Sequence, residues 1–431
     1  MYRYYAANEK IDLKCYPNYS FVTGDVNGDG KKEFIALNQT GNLLSVYNLD
    51  GEAIFEHTLE NNGNWGTAII CAADINDDGL DEIIVPNGDK IAAFDGTGKM
   101  INSYETGSQE KDHYGICVPL IGAAKIFDGD GLSIIAALAG GEVIALDNNF
   151  KLIWKTDGFR RNFEHEIFFA DVDGDGFDEI AFCTLGQIMD GINNDDASVG
   201  ELVLLDHDGT VIFRRTVSDF VSDSHFDDIS IADFMGRGDV QILVEKGLLL
   251  DLNGNIIWDI SDQFAHGQWI AHTPDPNGKG KLVFISELWG NAMKSMLFTG
   301  DGKKIKDISG MPWPVFDTEE QKTLGAIPLP TRCHAVKWGT DSAPEFFLTQ
   351  QACTPGPHDC HDTFSFELKA LFIDACGNLL GELPFADSQI KGYFYNGEVH
   401  SHVADVDGDG EMEIVFPKQD GHVMIIKKKI D

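Results

Sequence analysis

Apolar residues come along this chain in short runs. EFIAL, EIIV, EIAF and EIVF each follow an acidic stretch and precede a second apolar run, and after the first three come a turn pair and a third short run. Runs this short, rich in Ile, Val and Phe and punctuated by Gly, Asp and Asn, predict strands rather than helices. The turn pairs are Asp50-Gly51, Asp95-Gly96, Asn148-Asn149, Asp208-Gly209, Asn253-Gly254, Asp301-Gly302 and Cys376-Gly377. Such pairs favour tight two-residue hairpins or their bulged relatives. The short runs AIF, KMI, KLIW, TVIF, NIIW, KKI and NLL follow them. Each unit therefore reads strand, acidic loop, strand, strand, hairpin, strand.

The acidic stretch is itself a repeat. It reads DVNGDGKKEFIAL from Asp25, DINDDGLDEIIV from Asp74, DVDGDGFDEIAF from Asp171 and DVDGDGEMEIVF from Asp405. Worn copies fill the gaps: FDGDGLSIIAAL around Asp128, DFMGRGDVQILV from Asp233, TPDPNGKGKLVF from Thr273 and KWGTDSAPEFFL from Lys337. Eight copies in 431 residues give about 54 residues per unit, near the size of a four-stranded propeller blade. There are seven hairpins for eight loops, because the last unit stops after three strands. An N-terminal segment, YRYYA or IDLKC, would supply the missing outer strand and leave no free edge. The expected fold is all-β: residues 1–431 form a single eight-bladed β-propeller domain with four-stranded antiparallel blades, closed by an N-terminal strand. Seven blades is the alternative if one worn copy is not a full blade.

Charge narrows the partners. With 32 Lys+Arg against 70 Asp+Glu the net charge is −38, which argues against binding nucleic-acid phosphates or anionic membranes. No apolar run approaches the roughly 18–20 residues that span a bilayer. Met1 to Lys10 carries no apolar signal core, so a cytoplasmic location is expected, or a secreted one if a leader was removed. The eight scattered cysteines fit buried thiols better than a disulfide framework. Oligomeric state is left open.

The acidic loops suggest a metal. In DxDxDGxxE, oxygens at positions 1, 3, 5 and 9, with a main-chain carbonyl at 7, suit Ca²⁺, a hard ion that takes 6–8 oxygen ligands. The complete sets are Asp25, Asn27, Asp29, Glu33; Asp74, Asn76, Asp78, Glu82; Asp171, Asp173, Asp175, Glu179; and Asp405, Asp407, Asp409, Glu413. The alternative is an acidic turn without metal. The worn loops lack ligands: Lys281 takes the ninth position of the Thr273 copy and Arg237 interrupts the Asp233 copy.

The loops all fall at one end of the blades. On the other face the repeat is broken by long connections at 186–200, 287–294, 350–363, 105–114, 157–165, 310–331 and 388–399. Long loops on a rigid scaffold carry function. His113, His165, His225, His266, His334, His400 and His402 stand near the starts of inner strands of six units, where a propeller converges. Arg160, Arg161, Arg332, Lys391, Asn291, Tyr393, Tyr395, Trp65, Trp269 and Trp289 belong to the same face. Cations and flat rings in an otherwise acidic protein suit an anionic sugar, the cations for its carboxylate and the rings for its faces. Each residue taken alone is also compatible with ordinary packing. Cys353, His358, Asp359, Cys360 and His361 share one loop and offer a second metal candidate, though the spacing matches no zinc motif.

The DVDGDGxDEI repeat resembles the FG-GAP or VCBS type of propeller repeat. EHEIFFADVDGDGFDEIAF (164–182) and AHGQWIAHTPDPNGKGKLVFISE (265–287) resemble segments of the rhamnogalacturonan lyases of polysaccharide lyase family eleven. Glu166 stands where that family has Asn, and Gln268 where it has Asp. The resemblance implies a calcium-bearing eight-bladed propeller acting on an acidic, rhamnose- and uronate-containing oligo- or polysaccharide by β-elimination. That chemistry neutralises the C6 carboxylate, removes the C5 proton and protonates the leaving O4. His165, His266, His334 and His402, with Tyr393 or Tyr395, are the acid–base candidates. Arg332, Lys391 and Asn291, or a calcium near the funnel, are the neutralisers. Trp269, Trp289, Arg161, His400, His225 and His113 would contact substrate. A rhamnosidase-like hydrolase and a non-catalytic calcium-stabilised carbohydrate-binding propeller remain the other classes.

Overall fold

A computed structural model describes residues 2–12, 20–38, 41–60, 68–112, 115–129, 131–185, 199–222, 225–264, 266–289, 294–308, 327–340, 342–353, 364–391, 401–417 and 422–430. Apart from two short 3-10 turns, Val217–Asp219 and Ser261–Gln263, the regular structure there is strand. Among the described residues no helix is long and apolar enough to cross a membrane. The strands form eight four-stranded antiparallel sheets, an eight-bladed β-propeller. Blades 1 to 7 span residues 21–58, 71–105, 120–156, 163–216, 229–259, 266–307 and 327–391, each running inner to outer strand. Every worn copy of the acidic loop sits in a full blade, which decides between seven and eight.

Blade 8 is composite. Its inner three strands are His402–Ala404, Glu413–Pro417 and His422–Ile430, and its outer strand is Tyr2–Asp12. The two ends of the chain pair antiparallel from Tyr2↔Ile430 to Asp12↔His422. YRYYA and the first two residues of IDLKC take part, in one strand with irregular register between Ala6 and Ile11; the rest of IDLKC lies outside the described residues.

Burial follows strand position. The second strand of blade 1, Glu33–Leu37, is buried throughout, whereas its outer strand, Ala53–Thr58, is largely exposed. Middle strands are covered on both faces by neighbouring blades, so they read as unbroken apolar runs. The buried residues fall into eight clusters, one at each blade junction. Ile84 and Ile91 of blade 2 meet Ile134 and Leu146 of blade 3. Phe21 and Phe34 of blade 1 meet Val415 and Ile425 of blade 8, with Ile11 of the closing strand. Each fully buried side chain of this kind contributes about 1.5–3 kcal/mol of transfer free energy.

Backbone hydrogen bonds stitch the acidic loops of neighbouring blades. Asp81 N donates to Asp25 O (2.9 Å), Asp178 N to Lys125 O (2.7 Å), Lys281 N to Phe234 O (2.9 Å) and Lys32 N to Val406 O (2.9 Å). The approach is close: at Gly131, with φ +81°, a Cβ would stand 2.0 Å from the Ile75 carbonyl oxygen. The closing blade adds a buried polar clasp. Glu345 of blade 7 accepts from Trp338 Nε1 (2.7 Å) and Tyr4 OH (3.0 Å) and pairs with the Lys428 ammonium. The Tyr4 ring stacks on Phe372 at 3.5 Å.

Candidate functional site

The inner strands are unequal. They hold three residues in blades 2 and 8 and four in blade 1, but eight in blade 4 (Phe163–Ala170), nine in blade 6 (His266–Pro274) and ten in blade 7 (Ile327–Val336). Blades 4 to 7 line a cavity of about 260 Å³. Its walls include Glu166, Phe168, Asp228, Trp269, His272 and His334. Carboxyls, imidazoles and aromatic faces therefore meet in one recess, the mixture that binds polar ligands and moves protons.

Each group is held by its neighbours. Asp228 Oδ2 accepts from Ile270 N (2.7 Å), tying blade 5 to blade 6. His334 Nε2 lies 2.5 Å from Ser401 Oγ, tying blade 7 to blade 8 and fixing the imidazole's orientation. Burial, with the Lys281 charge second, pushes the His272 imidazole down to about 4, so it is neutral at neutral pH. Its Nδ1 is buried without a hydrogen-bond partner. Beside the cavity, Glu245 is fully buried at the turn after the second strand of blade 5, with Lys246 Nζ 3.7 Å from its Oε1. Burial pushes that carboxyl up. His225 Nε2 lies 3.4 Å from Asp227 Oδ1 in the approach to the same blade.

The residues singled out in the sequence divide into three groups. Among those with described side chains, His334 and Trp269 reach the cavity, but Trp269 is 4% exposed and packed among Leu282, Phe284 and Phe346. It is a wall of the blade 6–7 core, not an open stacking platform. His402 Nε2 donates to Phe21 O (2.9 Å), joining blades 8 and 1. Arg161 pairs with Glu110 (3.0 Å), and Arg160 Nε lies 3.4 Å from Glu201, which Arg214 also holds. In the second group only the backbone is described. His165 and Arg332 lie within inner strands, His266 opens one opposite Trp289, and Lys391 ends an outer strand opposite Phe364. Their side chains lie outside the described residues, as does that of Cys353. His113, Asn291, Tyr393, Tyr395, His400 and Trp65, and His358, Asp359, Cys360 and His361, lie wholly outside them. Glu166, Asp228 and His272 were missed by sequence. Period-two alternation along the inner strand pairs Glu166 with Phe168, and Ile270 with His272, and would have found two of them.

The acidic loops fold as their spacing predicts. Asp171 accepts from Gly174 N (2.7 Å) and Gly176 N (3.0 Å), and Asp25 and Asp405 hold the same two positions of their own loops. Asp171, Asp173 and Glu179 bring oxygens within 4.8 Å of one another, as do Asp405, Asp407 and Glu413. Glu179 Oε2 accepts from Val172 N (2.7 Å), while its Oε1 is buried and makes no hydrogen bond. That orphaned oxygen among carboxylates fits a hard divalent cation. In the loops from Asp25 and Asp74, Asn27 and Asn76 turn their amides to Glu33 (2.7 Å) and Glu82 (2.9 Å). In the Asp405 loop, Lys427 Nζ reaches Asp407 (2.5 Å), Glu413 (2.9 Å) and Asp409 (3.2 Å). Among the described residues no disulfide forms; Cys117 and Cys183 are buried as expected, but Cys376 is exposed.

An FG-GAP-like repeat family model matches residues 25–85. No curated protein matches the chain in sequence. Among solved structures, the exotype rhamnogalacturonan lyase YesX superposes with a TM-score of 0.63 at 21% identity, over 99% of this chain and 72% of that one. A Bacillus licheniformis rhamnogalacturonan lyase gives 0.59 at 18% identity with the same coverage. BamB from Moraxella catarrhalis gives 0.54 at 12% identity, over 99% and 100%. The likeness is one of fold. Activity must be argued from the site.

Proposed function

We propose that this propeller is a carbohydrate-active enzyme that cleaves a rhamnose- and uronate-containing glycan by β-elimination in the cavity between blades 4 and 7. The observation that carries the reading is the meeting of Glu166, His272 and His334 in that recess. The likeness in fold to two rhamnogalacturonan lyases supports it.

The elimination needs a base at C5, an acid at O4 and positive charge at the C6 carboxylate. His334, oriented by Ser401, is the proton-transfer group we place at the sugar. His272, uncharged because it is buried, offers hydrogen bonds to hydroxyls without adding charge to the site. Arg332 and Lys391, from the inner and outer strands of blade 7, are the proposed carboxylate partners. Bound Ca²⁺ would neutralise the crowded carboxylates and hold the turns of the acidic loops; Asp171, Asp173, Asp175 and Glu179 would hold it in blade 4.

Incubation with rhamnogalacturonan and with rhamnose–glucuronate oligosaccharides, read by absorbance and mass, tests the reading. The expected product is unsaturated and carries no added water. His334→Ala should slow its formation by about 10²-fold or more, the scale of a lost general acid–base group. Full activity in that variant would overturn the assignment. Glu166 and Asp228 in one cavity favour a hydrolase as the second reading, since glycoside hydrolysis uses a carboxyl pair. Products heavier by water and lacking the chromophore would select it. Binding without turnover would select a carbohydrate-binding module.

A further inference from the structure

The loops from Asp171 and from Asp405 both spell DVDGDG and carry Glu at the ninth position. They differ in what faces that glutamate across the sheet. In blades 1 to 5 and 7 the third strand ends there, in an Asn or Asp that opens the hairpin to the outer strand. These are Asn48, Asp95, Asp147, Asp206, Asp251 and Asp374, and each backbone N donates to the carbonyl four residues on. Asp206 is thus the residue opposite Glu179, one step beyond the pair Ile180↔Leu205.

Blade 8 has no such hairpin, because its outer strand comes from the other end of the chain. Its third strand runs straight through. The position opposite Glu413, one step beyond Ile414↔Ile426, is Lys427. Its ammonium lies among the carboxylates of Asp407, Asp409 and Glu413. An ammonium held there and a divalent cation on the same oxygens exclude each other by contact and by charge. In the Asp171 loop the facing residue is a second carboxylate and Glu179 Oε1 has no hydrogen bond. His207 approaches that loop, but its Nδ1 sits on the Ile126 carbonyl (3.0 Å) and its Nε2 lies 3.6 Å from Asp175, beyond hydrogen-bond distance.

We propose that the Asp171 loop takes a divalent cation and the Asp405 loop does not, because ring closure places the chain's own Lys427 where the ion would sit. The proposal rests on the cation reading of the acidic loops given above.

Equilibrium dialysis against Ca²⁺ alone, counting ions bound per chain, tests it. Asp175→Asn should lose one equivalent and Asp409→Asn none. Lys427→Met should gain one, and adding Asp409→Asn to it should remove that one again. Loss of an equivalent in Asp409→Asn alone would overturn the proposal and leave the cation reading standing. An unchanged count in Asp175→Asn would remove the cation reading and the proposal with it. The two single Asn variants change exposed side chains, so they decide the matter even if Lys427→Met fails to fold.

Discussion

Glu33, Glu82 and Glu179 each close an acidic loop with almost no exposure, and burial pushes all three carboxyls from 4.5 up to about 7. Nearby aspartates push the same way, and a backbone N–H donated to each carboxyl opposes the shift. A raised folded-state value means that the folded protein binds protons more tightly than the unfolded chain. Its stabilising effect is complete below about 4.5 and is lost as pH rises through about 7. Chelator-treated protein should therefore melt at a higher temperature near pH 5 than near pH 8, and Ca²⁺ should restore much of the difference at pH 8. Thermal melts in the four conditions check this; a metal-free melting point independent of pH would contradict it. These glutamates were legible in the sequence, because their spacing within one turn is local. Lys427 was not. Its role depends on the third strand of blade 8 running on past Glu413 instead of turning into a hairpin, and that depends on an outer strand supplied by residues 2–12.

At the scale of elements, the closing strand is held by more than its ladder. Glu345 gathers Trp338, Tyr4 and Lys428, and the Lys428 side chain is 5% exposed. Glu345→Ala would take a carboxylate away from that buried ammonium, and breaking a buried pair costs about 3–5 kcal/mol. Glu382→Ala, which removes the Lys369 pair at the surface of the same blade, should cost about 0–1 kcal/mol. Denaturant titration of both variants distinguishes a buried clasp from a surface pair; equal losses would refute the assignment. The hairpins were legible because turn pairs such as Asp208-Gly209 and Asn253-Gly254 favour a tight reversal wherever they occur. The worn blades were legible too, since TPDPNGKGKLVF keeps the apolar run after its turn even where Lys281 has displaced the ligand. The extended inner strands of blades 4 and 7 were not, because their extra residues lie in stretches the sequence presents as connections, 157–165 and 310–331.

Over the whole molecule, eight equivalent junctions carry the stability and one half of the ring carries the candidate chemistry. The symmetric part was readable from repetition alone. The cavity was not, because it is assembled from inner strands about 170 residues apart along the chain, Glu166 to His334. Deletion of residues 1–12 tests the ring as a unit. It removes Ile11 and Tyr4 from their clusters and leaves His422–Ile430 as an open strand edge. Unpaired edges recruit other chains. Size-exclusion chromatography should show the deletion variant shifted to oligomers or aggregate, and a stable monomer would argue that the clasp is dispensable.

The pairing of Tyr2–Asp12 with His422–Ile430 also sets an order of events during synthesis. Of the propeller's own strands, the first to leave the ribosome is partnered by the last. Blades 1 to 7 can each form from contiguous chain as they emerge, but blade 8 cannot. Until Glu413–Pro417 and His422–Ile430 have been made, Phe21 and Phe34 of blade 1 lack the cover that Val415, Val423 and Ile425 provide. The nascent protein is thus an open arc with an apolar face at its leading end. Closure, the contact of longest sequence separation, waits for the last strand of the ring.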